Sequence, residues 1–353
     1  MKAAVKARLS FFEPRATNVT DDKEDISKKT NKLNASPVVT RPKLTEEEKQ
    51  LPYRDLGNVK KYSKKAATDV ANNALKDESL GEYLSRNDFP KDIIDKFMVP
   101  MGAAVWSGSR KEIANFPVKM FLKFFDNHGI LDLNNAPQWH TVLGGSYTYV
   151  QKILDDFSGE IIKGNGVKTV VRKKEGVLVS LDNGEKLSFD KVVCASHADQ
   201  TYRMIKDMTE QEVKILQPWE YSKNKTILHT DVSIMPPSKS AWACWNYVKN
   251  RNSKDRDDVS VTYYMNRLQG LKTKNDYLVT LNPNREIPKN KIIYETEYTH
   301  PKYTHQSLST QKDIIEINGS NNLYFCGSYC RYGFHEDAVL SAVRVAEKLG
   351  CVL

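Results

Sequence analysis

The stretch that most constrains the fold lies near the carboxyl end of the chain. Leu323 to Cys326 is a short apolar run that ends at Gly327, which is typical of a buried strand. A loop follows, and Ala338 to Leu349 has helical spacing with its apolar residues on one face. Such a loop and helix N-terminus present unpaired N–H groups and the positive end of the helix dipole. The stretch therefore predicts either a docking site for an anionic or electron-rich group, or an ordinary β–loop–α unit that closes a sheet.

The loop itself carries a family resemblance. Gly333 to Ala338 reads Gly-Phe-His-Glu-Asp-Ala. This resembles the Gly-x-x-Glu-x-Ala loop of the flavin-containing amine oxidase, phytoene desaturase and protoporphyrinogen oxidase superfamily, where it enters a helix over the flavin. Tyr332 to Asp337 also reproduces the Tyr-Gly-Phe-His-Glu-Asp signature of a subgroup described as flavin-binding amine-oxidase-like proteins. The resemblance extends from Leu80 to the end of the chain.

The resemblance implies a fold, a cofactor and a set of site residues. The fold would be an α/β flavin-binding domain, Rossmann-like but incomplete, interleaved with an α+β substrate domain. FAD would be the cofactor, and the chain would be an FAD-dependent oxidoreductase that transfers hydride from a C–N or C–C bond to the flavin. The positions that match the family's flavin contacts are Val167, Gly327, Ser328, Gly333, Phe334, His335, Glu336 and Ala338. The resemblance identifies no catalytic side chain.

Two departures from the family pattern leave alternatives open. The family opens with a βαβ unit whose Gly-x-Gly-x-x-Gly turn seats the pyrophosphate, and this sequence has none. Ser328 stands where many members place an acidic residue, and its hydroxyl would hold the ribityl chain more weakly than a charge-assisted contact. We therefore expect a truncated chain of a complete flavoprotein. The alternative is a non-catalytic interaction protein or pseudoenzyme that no longer holds flavin.

Charge and apolar content divide the chain into a tail and two interleaved domains. Residues 1–65 hold 16 Lys/Arg and 9 Asp/Glu, so most of the net charge of +9 lies in a segment poor in apolar residues. We expect this segment to be a disordered or atypical basic tail. The substrate domain is expected at residues 79–148 and 200–310. The flavin-domain segments are expected at residues 149–199 and 311–353.

Short apolar and alternating runs predict the elements of both domains. The predicted strands are a β-meander at Val167–Val171, Val177–Leu181 and Leu187–Phe189, a buried strand at Val192–Ala195, and a mostly antiparallel sheet at Ile227–Val232, Ala241–Val248, Val259–Met265, Leu278–Leu281 and Ile292–Tyr298. Phe97–Ser107 predicts a buried loop, Phe116–Phe125 a helix, and Gly144-Gly145-Ser146 the start of an amphipathic helix. Val192–Ala195 and Leu323–Cys326 lack alternation, so we expect them to be neighbours in a sheet that is buried on both faces.

Composition limits the partners and the cellular compartment that we expect. No apolar run approaches the roughly 20 residues that span a bilayer. The basic residues concentrate in the tail, which favours a solvated segment over a nucleic-acid site. The five cysteines include no Cys-x-x-Cys pair, which fits a reducing compartment and predicts no metal site. We expect a small-molecule substrate, apolar or an amine, no nucleic-acid partner and no transmembrane segment. The expected location is cytoplasmic, with mitochondria as the alternative.

Overall fold

The structure is a computed structural model that describes residues 38–40, 56–132, 140–249 and 259–351. Its elements form a helical layer, a five-stranded antiparallel sheet, a three-stranded meander and a parallel pair of strands. One apolar core joins the helical layer to the meander and to the parallel pair. Among the described residues, no helix has both the length and the apolar character needed to cross a membrane.

The helical layer is formed by residues 56–127. Its helices are α1 (Leu56–Ala71), α2 (Leu80–Arg86), α3 (Lys91–Ile93), α4 (Val99–Trp106), α5 (Arg110–Ala114) and α6 (Val118–Asn127), with a π-helical turn at Ile94–Met98 between α3 and α4. The prediction of a buried loop at Phe97–Ser107 is wrong, because α4 accommodates Pro100 in its first turn. α1 includes the last ten residues of the expected tail. Apart from β1 (Val38–Thr40), the rest of that segment lies outside the described residues.

Aromatic packing holds the helical layer together. The ring of Trp106 lies 4.4 Å from Phe116, 5.5 Å from Phe121 and 5.0 Å from Phe124, measured between centroids. Truncating a buried aromatic side chain of this kind to alanine costs about 3–5 kcal/mol. The Trp106 indole N–H also donates to the carbonyl of Tyr332 at 3.2 Å, which ties this layer to the carboxyl-terminal loop.

The middle of the chain alternates between strands and helices. These elements are β2 (His140–Val142), α7 (Tyr147–Asp156), β3 (Val167–Arg172), β4 (Val177–Leu181), β5 (Lys186–Phe189), β6 (Val192–Cys194), α8 (Ala198–Met204) and α9 (Glu210–Leu216). β1 pairs antiparallel with β2, and β3, β4 and β5 form an antiparallel meander. The predictions of the meander and of a helix after Gly144-Gly145-Ser146 are confirmed.

The largest sheet has five antiparallel strands. In chain order these are β7 (Tyr221–His229), β8 (Trp245–Lys249), β9 (Val259–Tyr264), β10 (Leu278–Leu281) and β11 (Ile292–Pro301), and the short helix α10 (Met265–Leu268) follows β9. Their order in the sheet is β11-β7-β10-β9-β8, which confirms the predicted antiparallel sheet. One face packs against the helical layer, where the Tyr263 hydroxyl donates to the carbonyl of Ala104 at 3.1 Å.

The carboxyl-terminal part returns the chain to β6. It consists of α11 (His305–Ser309), α12 (Gln311–Ile317), β12 (Leu323–Phe325) and α13 (His335–Lys348). Single 3₁₀ turns lie at Val232–Ile234, Lys239–Ala241, Lys289–Lys291, Ser320–Asn322 and Ser328–Cys330. β12 pairs in parallel with β6, so the predicted neighbourhood of these two apolar runs is confirmed.

Candidate functional site

The candidate site begins at the parallel pair of β6 and β12. Leu323 pairs with Val192 and Phe325 with Cys194, so both strands end at the same edge. The three residues of β12 are all buried. The outer edge of β12 is closed by the turn before it, where the Gly319 N–H donates to the Leu323 carbonyl at 2.9 Å. Within the described ranges no strand pairs with the other edge of β6.

The loop between β12 and α13, residues 327–334, is fixed by hydrogen bonds at both ends. The Gly327 N–H donates to the Ser341 hydroxyl at 2.9 Å, and the Gly333 N–H donates to the Ser328 carbonyl at 3.1 Å. In between, the Gln311 amide donates to the carbonyls of Tyr329 and Arg331 at 2.9 Å and 2.7 Å. We call this segment the 327–334 loop.

Both glycines of the 327–334 loop are required by its geometry. A Cβ on Gly327 would lie 2.6 Å from the ring of Tyr329. Gly333 has φ +99, a region that side chains with a Cβ rarely adopt, and a Cβ there would lie 2.6 Å from the Tyr303 hydroxyl. The loop therefore keeps its backbone close to its neighbours, and this explains why the sequence places glycine at both positions.

The first turn of α13 begins with exposed residues, and a side chain of the same turn accepts a hydrogen bond from the residue before the helix. Asp337 is 5% exposed, and its carboxylate accepts the Phe334 N–H at 3.0 Å. Among the described residues, no acceptor bonds the backbone N–H of His335 or Glu336, and both side chains are exposed. Unpaired N–H groups at the positive end of a helix dipole form a binding site for a negative or electron-rich group.

Side chains from two other helices flank this helix start. The Tyr149 hydroxyl of α7 contacts Nδ1 of His335, and the two rings meet edge to face at 6.1 Å. On the other side the Phe334 ring stacks on Phe124 at 5.1 Å with an interplanar angle of 12°. Tyr149 was not among the predicted site residues. Its only sequence signal is a position on the amphipathic helix after the double glycine.

The structure brings seven of the eight predicted residues together. Gly327, Ser328, Gly333 and Phe334 lie in the 327–334 loop, while His335, Glu336 and Ala338 lie in the first turn of α13. Val167 lies apart at the start of β3, in the meander, where it pairs with Leu181. Across the described chain no hydrogen bond joins Val167 to the loop, so the role expected for it stays a prediction.

A cavity of about 700 Å³ lies between the helical layer and the five-stranded sheet. Its floor includes Val261 and Leu281, and its rim carries hydroxyl, amide and charged side chains, among them Ser107, Ser109, Glu112, Ser222, Asn224, Asn282 and Lys302. Lys302 pairs with Glu112 at 3.3 Å. Burial opposes ionisation of Glu112, but the hydrogen bonds from Ser109 and Lys302 prevail and lower its pKa, so the pair is charged.

An amide network fixes the inner wall of the cavity. The Asn282 amide donates to Asn224 Oδ1 at 2.7 Å, and the Asn224 amide donates to Nδ1 of His300 at 2.9 Å. Because an amide nitrogen can only donate, Nδ1 of His300 is the acceptor in this contact. Burial, reinforced by His197, lowers the pKa of His300, so its imidazole is neutral near pH 7.

The thiols near the strand pair are unsuited to nucleophilic chemistry. Burial raises the pKa of Cys194 to about 12, that of Cys326 to about 11 and that of Cys330 to about 12. The thiolate is the reactive form of cysteine, and at these values it is scarce near neutral pH. The described residues also contain no group of three or more potential metal ligands.

The residues present fit the ring end of a flavin. The exposed N–H groups of His335 and Glu336 suit the ring edge that becomes negative on reduction. The chemistry of these donors thus matches the flavin expected from the sequence. For the pyrophosphate end, the described residues offer no glycine-rich strand-to-helix turn.

Comparison with known proteins agrees with this geometry. The sequence matches the family described as flavin containing amine oxidoreductase, over residues 8–264 and 286–349. No curated protein matches the sequence. The match to the family includes the helical layer, the meander, the parallel pair and all of α13.

Solved structures share the fold at low sequence identity. A CLA-producing fatty acid isomerase from P. acnes is similar with a TM-score of 0.60 and 12% identity, over 93% of this chain and 84% of that chain. A putrescine oxidase bound to putrescine has a TM-score of 0.59 and 10% identity, over 89% and 83%. A reduced UDP-galactopyranose mutase has a TM-score of 0.55 and 16% identity, over 85% and 76%.

Proposed function

The chain belongs to the flavin containing amine oxidoreductase family, and we propose that it removes hydride from a C–N or C–C bond of a small molecule. Membership of this family makes it an FAD-dependent oxidoreductase of amine-oxidase type. Its architecture is mixed α and β. The finer reaction, the placement of the cofactor and the division into domains are parts of the proposal.

The exposed start of α13 is the observation that carries the proposal. A helix N-terminus has the effect of about half a positive elementary charge. The N–H groups of His335 and Glu336 are unpaired there, and both side chains are exposed. When bound, the flavin supplies the hydride acceptor. We infer that Gly333, Phe334 and His335 hold its ring edge and that Ser328 contacts the ribityl chain.

The expected interleaving of domains has two supports in the topology. β6 and β12 lie in the two segments assigned to the flavin domain, residues 149–199 and 311–353, and they pair with each other. All five strands of the large sheet lie within residues 200–310, which are assigned to the substrate domain.

The cavity between the helical layer and the sheet is the proposed substrate site. Its volume of about 700 Å³ lies within the range of roughly 300–1,000 Å³ that is usual for small-molecule sites. The apolar floor at Val261 and Leu281 and the polar rim suit a small molecule with an apolar body and one polar end. Tyr221 and Lys302 line the cavity and flank Tyr303, which contacts the 327–334 loop.

A spectroscopic experiment tests the proposed function. The purified chain is incubated with FAD and desalted, and its visible absorbance is recorded before and after anaerobic addition of a panel of amines and fatty acids. We expect retained flavin absorbance that is bleached by at least one substrate class. A chain that stays colourless after incubation with FAD would favour the alternative of a non-catalytic interaction protein.

A further inference from the structure

Tyr303 lies at the junction between the five-stranded sheet and the 327–334 loop. It follows the last residue of β11 by two positions, and its side chain is only 4% exposed. Its ring lies 5.7 Å from Phe116 and 5.7 Å from Trp219 between centroids. These contacts from two different elements fix the ring, so the direction of its hydroxyl is fixed as well.

The hydroxyl of Tyr303 is buried without a hydrogen-bond partner in the described part of the chain. Burial raises the pKa of Tyr303 well above its ordinary value, so the group stays protonated and can donate. A buried hydroxyl without a partner lowers stability, and such groups are uncommon in native proteins. Retention of tyrosine here therefore needs an explanation that packing alone does not supply, since phenylalanine would fill the same space.

The unused donor faces Gly333. A Cβ on Gly333 would lie 2.6 Å from the Tyr303 hydroxyl oxygen, so this oxygen is in contact with the loop backbone. The nearby carbonyls of Arg331 and Tyr332 already accept hydrogen bonds from Gln311 and Trp106. Among the described residues the Gly333 carbonyl has no donor. Gly333 can also change its backbone angles more easily than any other residue.

We propose that Tyr303 is a positioning residue for the 327–334 loop, and that its hydroxyl bonds the Gly333 carbonyl when FAD occupies the loop. A small tilt of the peptide between Gly333 and Phe334, with the Phe334 N–H kept on the Asp337 carboxylate, would satisfy both groups and fix the direction of the adjoining N–H groups at the start of α13. The bound state would thus give the buried hydroxyl the acceptor that the described residues do not supply. This inference rests on the proposed placement of FAD.

Tyr303→Phe tests the inference because it removes the hydroxyl and leaves the ring. Without FAD we expect the melting temperature to rise, since an unpaired buried group is lost. We expect FAD affinity, measured by quenching of flavin fluorescence, to fall roughly fivefold, the value of one ordinary hydrogen bond. A purely structural role would move stability and affinity in the same direction, whereas this role moves them in opposite directions.

Tyr83→Phe is the matched control. Tyr83 is as buried as Tyr303, but its hydroxyl donates to Asp69 at 2.7 Å in the helical layer. We expect its loss to lower the melting temperature with and without FAD and to leave FAD affinity unchanged.

The outcomes separate this inference from the proposed function. If the wild-type chain binds FAD and Tyr303→Phe binds it equally well, the role of Tyr303 is refuted and the proposed function stands. A lower melting temperature of the cofactor-free Tyr303→Phe chain would also refute it, because the hydroxyl would already have a partner. If the wild-type chain retains no FAD, both proposals are refuted.

Discussion

Arg172 on β3 and Glu212 on α9 form an ion pair that is shielded from solvent on both sides, with side-chain exposures of 14% and 4%. The same guanidinium donates to the Asp207 carbonyl at 2.9 Å. Glu212 also accepts the Thr209 N–H at 2.9 Å at the start of α9. The pair therefore joins the meander to the helices that follow it. The guanidinium also pairs with the Asp207 carboxylate at 3.3 Å, whereas Glu212 depends on Arg172 for compensation of its charge.

We expect Arg172→Met to destabilise the chain by about 3–5 kcal/mol, because it leaves a buried carboxylate uncompensated. Equilibrium unfolding in urea measures this loss. Lys225→Met is the control, since its pair with Glu295 is exposed at 55% and 46%, and such pairs contribute about 0–1 kcal/mol. Equal effects of the two substitutions would show that burial of the Arg172 pair has no energetic consequence.

Asn318 takes the place of a neighbouring strand along the outer edge of β12. Its side chain accepts the Phe325 N–H at 2.5 Å and donates to the Phe325 carbonyl at 3.1 Å. We expect Asn318→Ala to cost about 1–3 kcal/mol, because two buried backbone groups lose their partner. Faster amide exchange at Phe325 should accompany the loss. Asn183→Ala, in the exposed meander turn, should change neither quantity.

Two substitutions of His335 distinguish a role of its backbone N–H from a role of its imidazole. We expect His335→Ala to retain FAD. We expect His335→Pro to weaken FAD binding about tenfold or more, because it deletes one N–H facing a partly charged oxygen. Proline suits the first position of a helix, and Phe334, with φ −107 and ψ 170, already has the extended backbone required before it. The helix should thus survive, as circular dichroism can verify. Complete loss of FAD in the alanine variant would instead make the side chain the ligand.

His229 makes stability depend on pH. Its Nδ1 accepts the Asp231 N–H at 3.1 Å, and its other ring nitrogen bonds the Thr280 hydroxyl at 2.8 Å, an arrangement that requires the neutral ring. Burial lowers its pKa below the ordinary 6.5, although Asp231 opposes the shift. The unfolded chain therefore takes up the proton first, so stability should fall as pH drops below about 6.5.

Urea unfolding at pH 7, 6 and 5 measures this dependence. We expect His229→Leu to be less stable than the wild type at pH 7, because the Asp231 N–H loses its acceptor and Thr280 keeps only its bond to Thr262. The variant should lose less stability between pH 7 and pH 5. The same substitution at the exposed His140 should leave the wild-type pH dependence intact. If His229→Leu kept the full dependence, another group would be responsible for it.

Local sequence patterns predicted most of the strands and helices. The strands of the meander and of the large sheet follow from alternation and β-branched residues, and β6 and β12 follow from apolar runs without alternation. Phe97–Ser107 was predicted wrongly because proline and glycine usually interrupt a helix. Here Pro100 lies in the first turn of α4, where no N–H is needed.

The contacts that complete the site could not be predicted from the sequence. Tyr149 contacts His335, which lies 186 positions later in the chain, and hydrophobic periodicity cannot predict such a contact. The contact between Tyr303 and Gly333 could not be predicted either, because the sequence around Tyr303 indicates only the end of a strand. Cofactor contacts at the predicted positions, the role of Val167 and the domain boundaries stay predictions.

The pairing of β6 with β12 also affects how the molecule folds. Leu323 pairs with Val192, 131 positions earlier in the chain, so the pair closes a long loop. Closing such a loop costs entropy before the contact gives any stabilisation, which makes pairings of this kind slow to form. Until the pair forms, β6 lacks the partner that the described chain gives it, and its exposed strand edge can pair with another chain and aggregate.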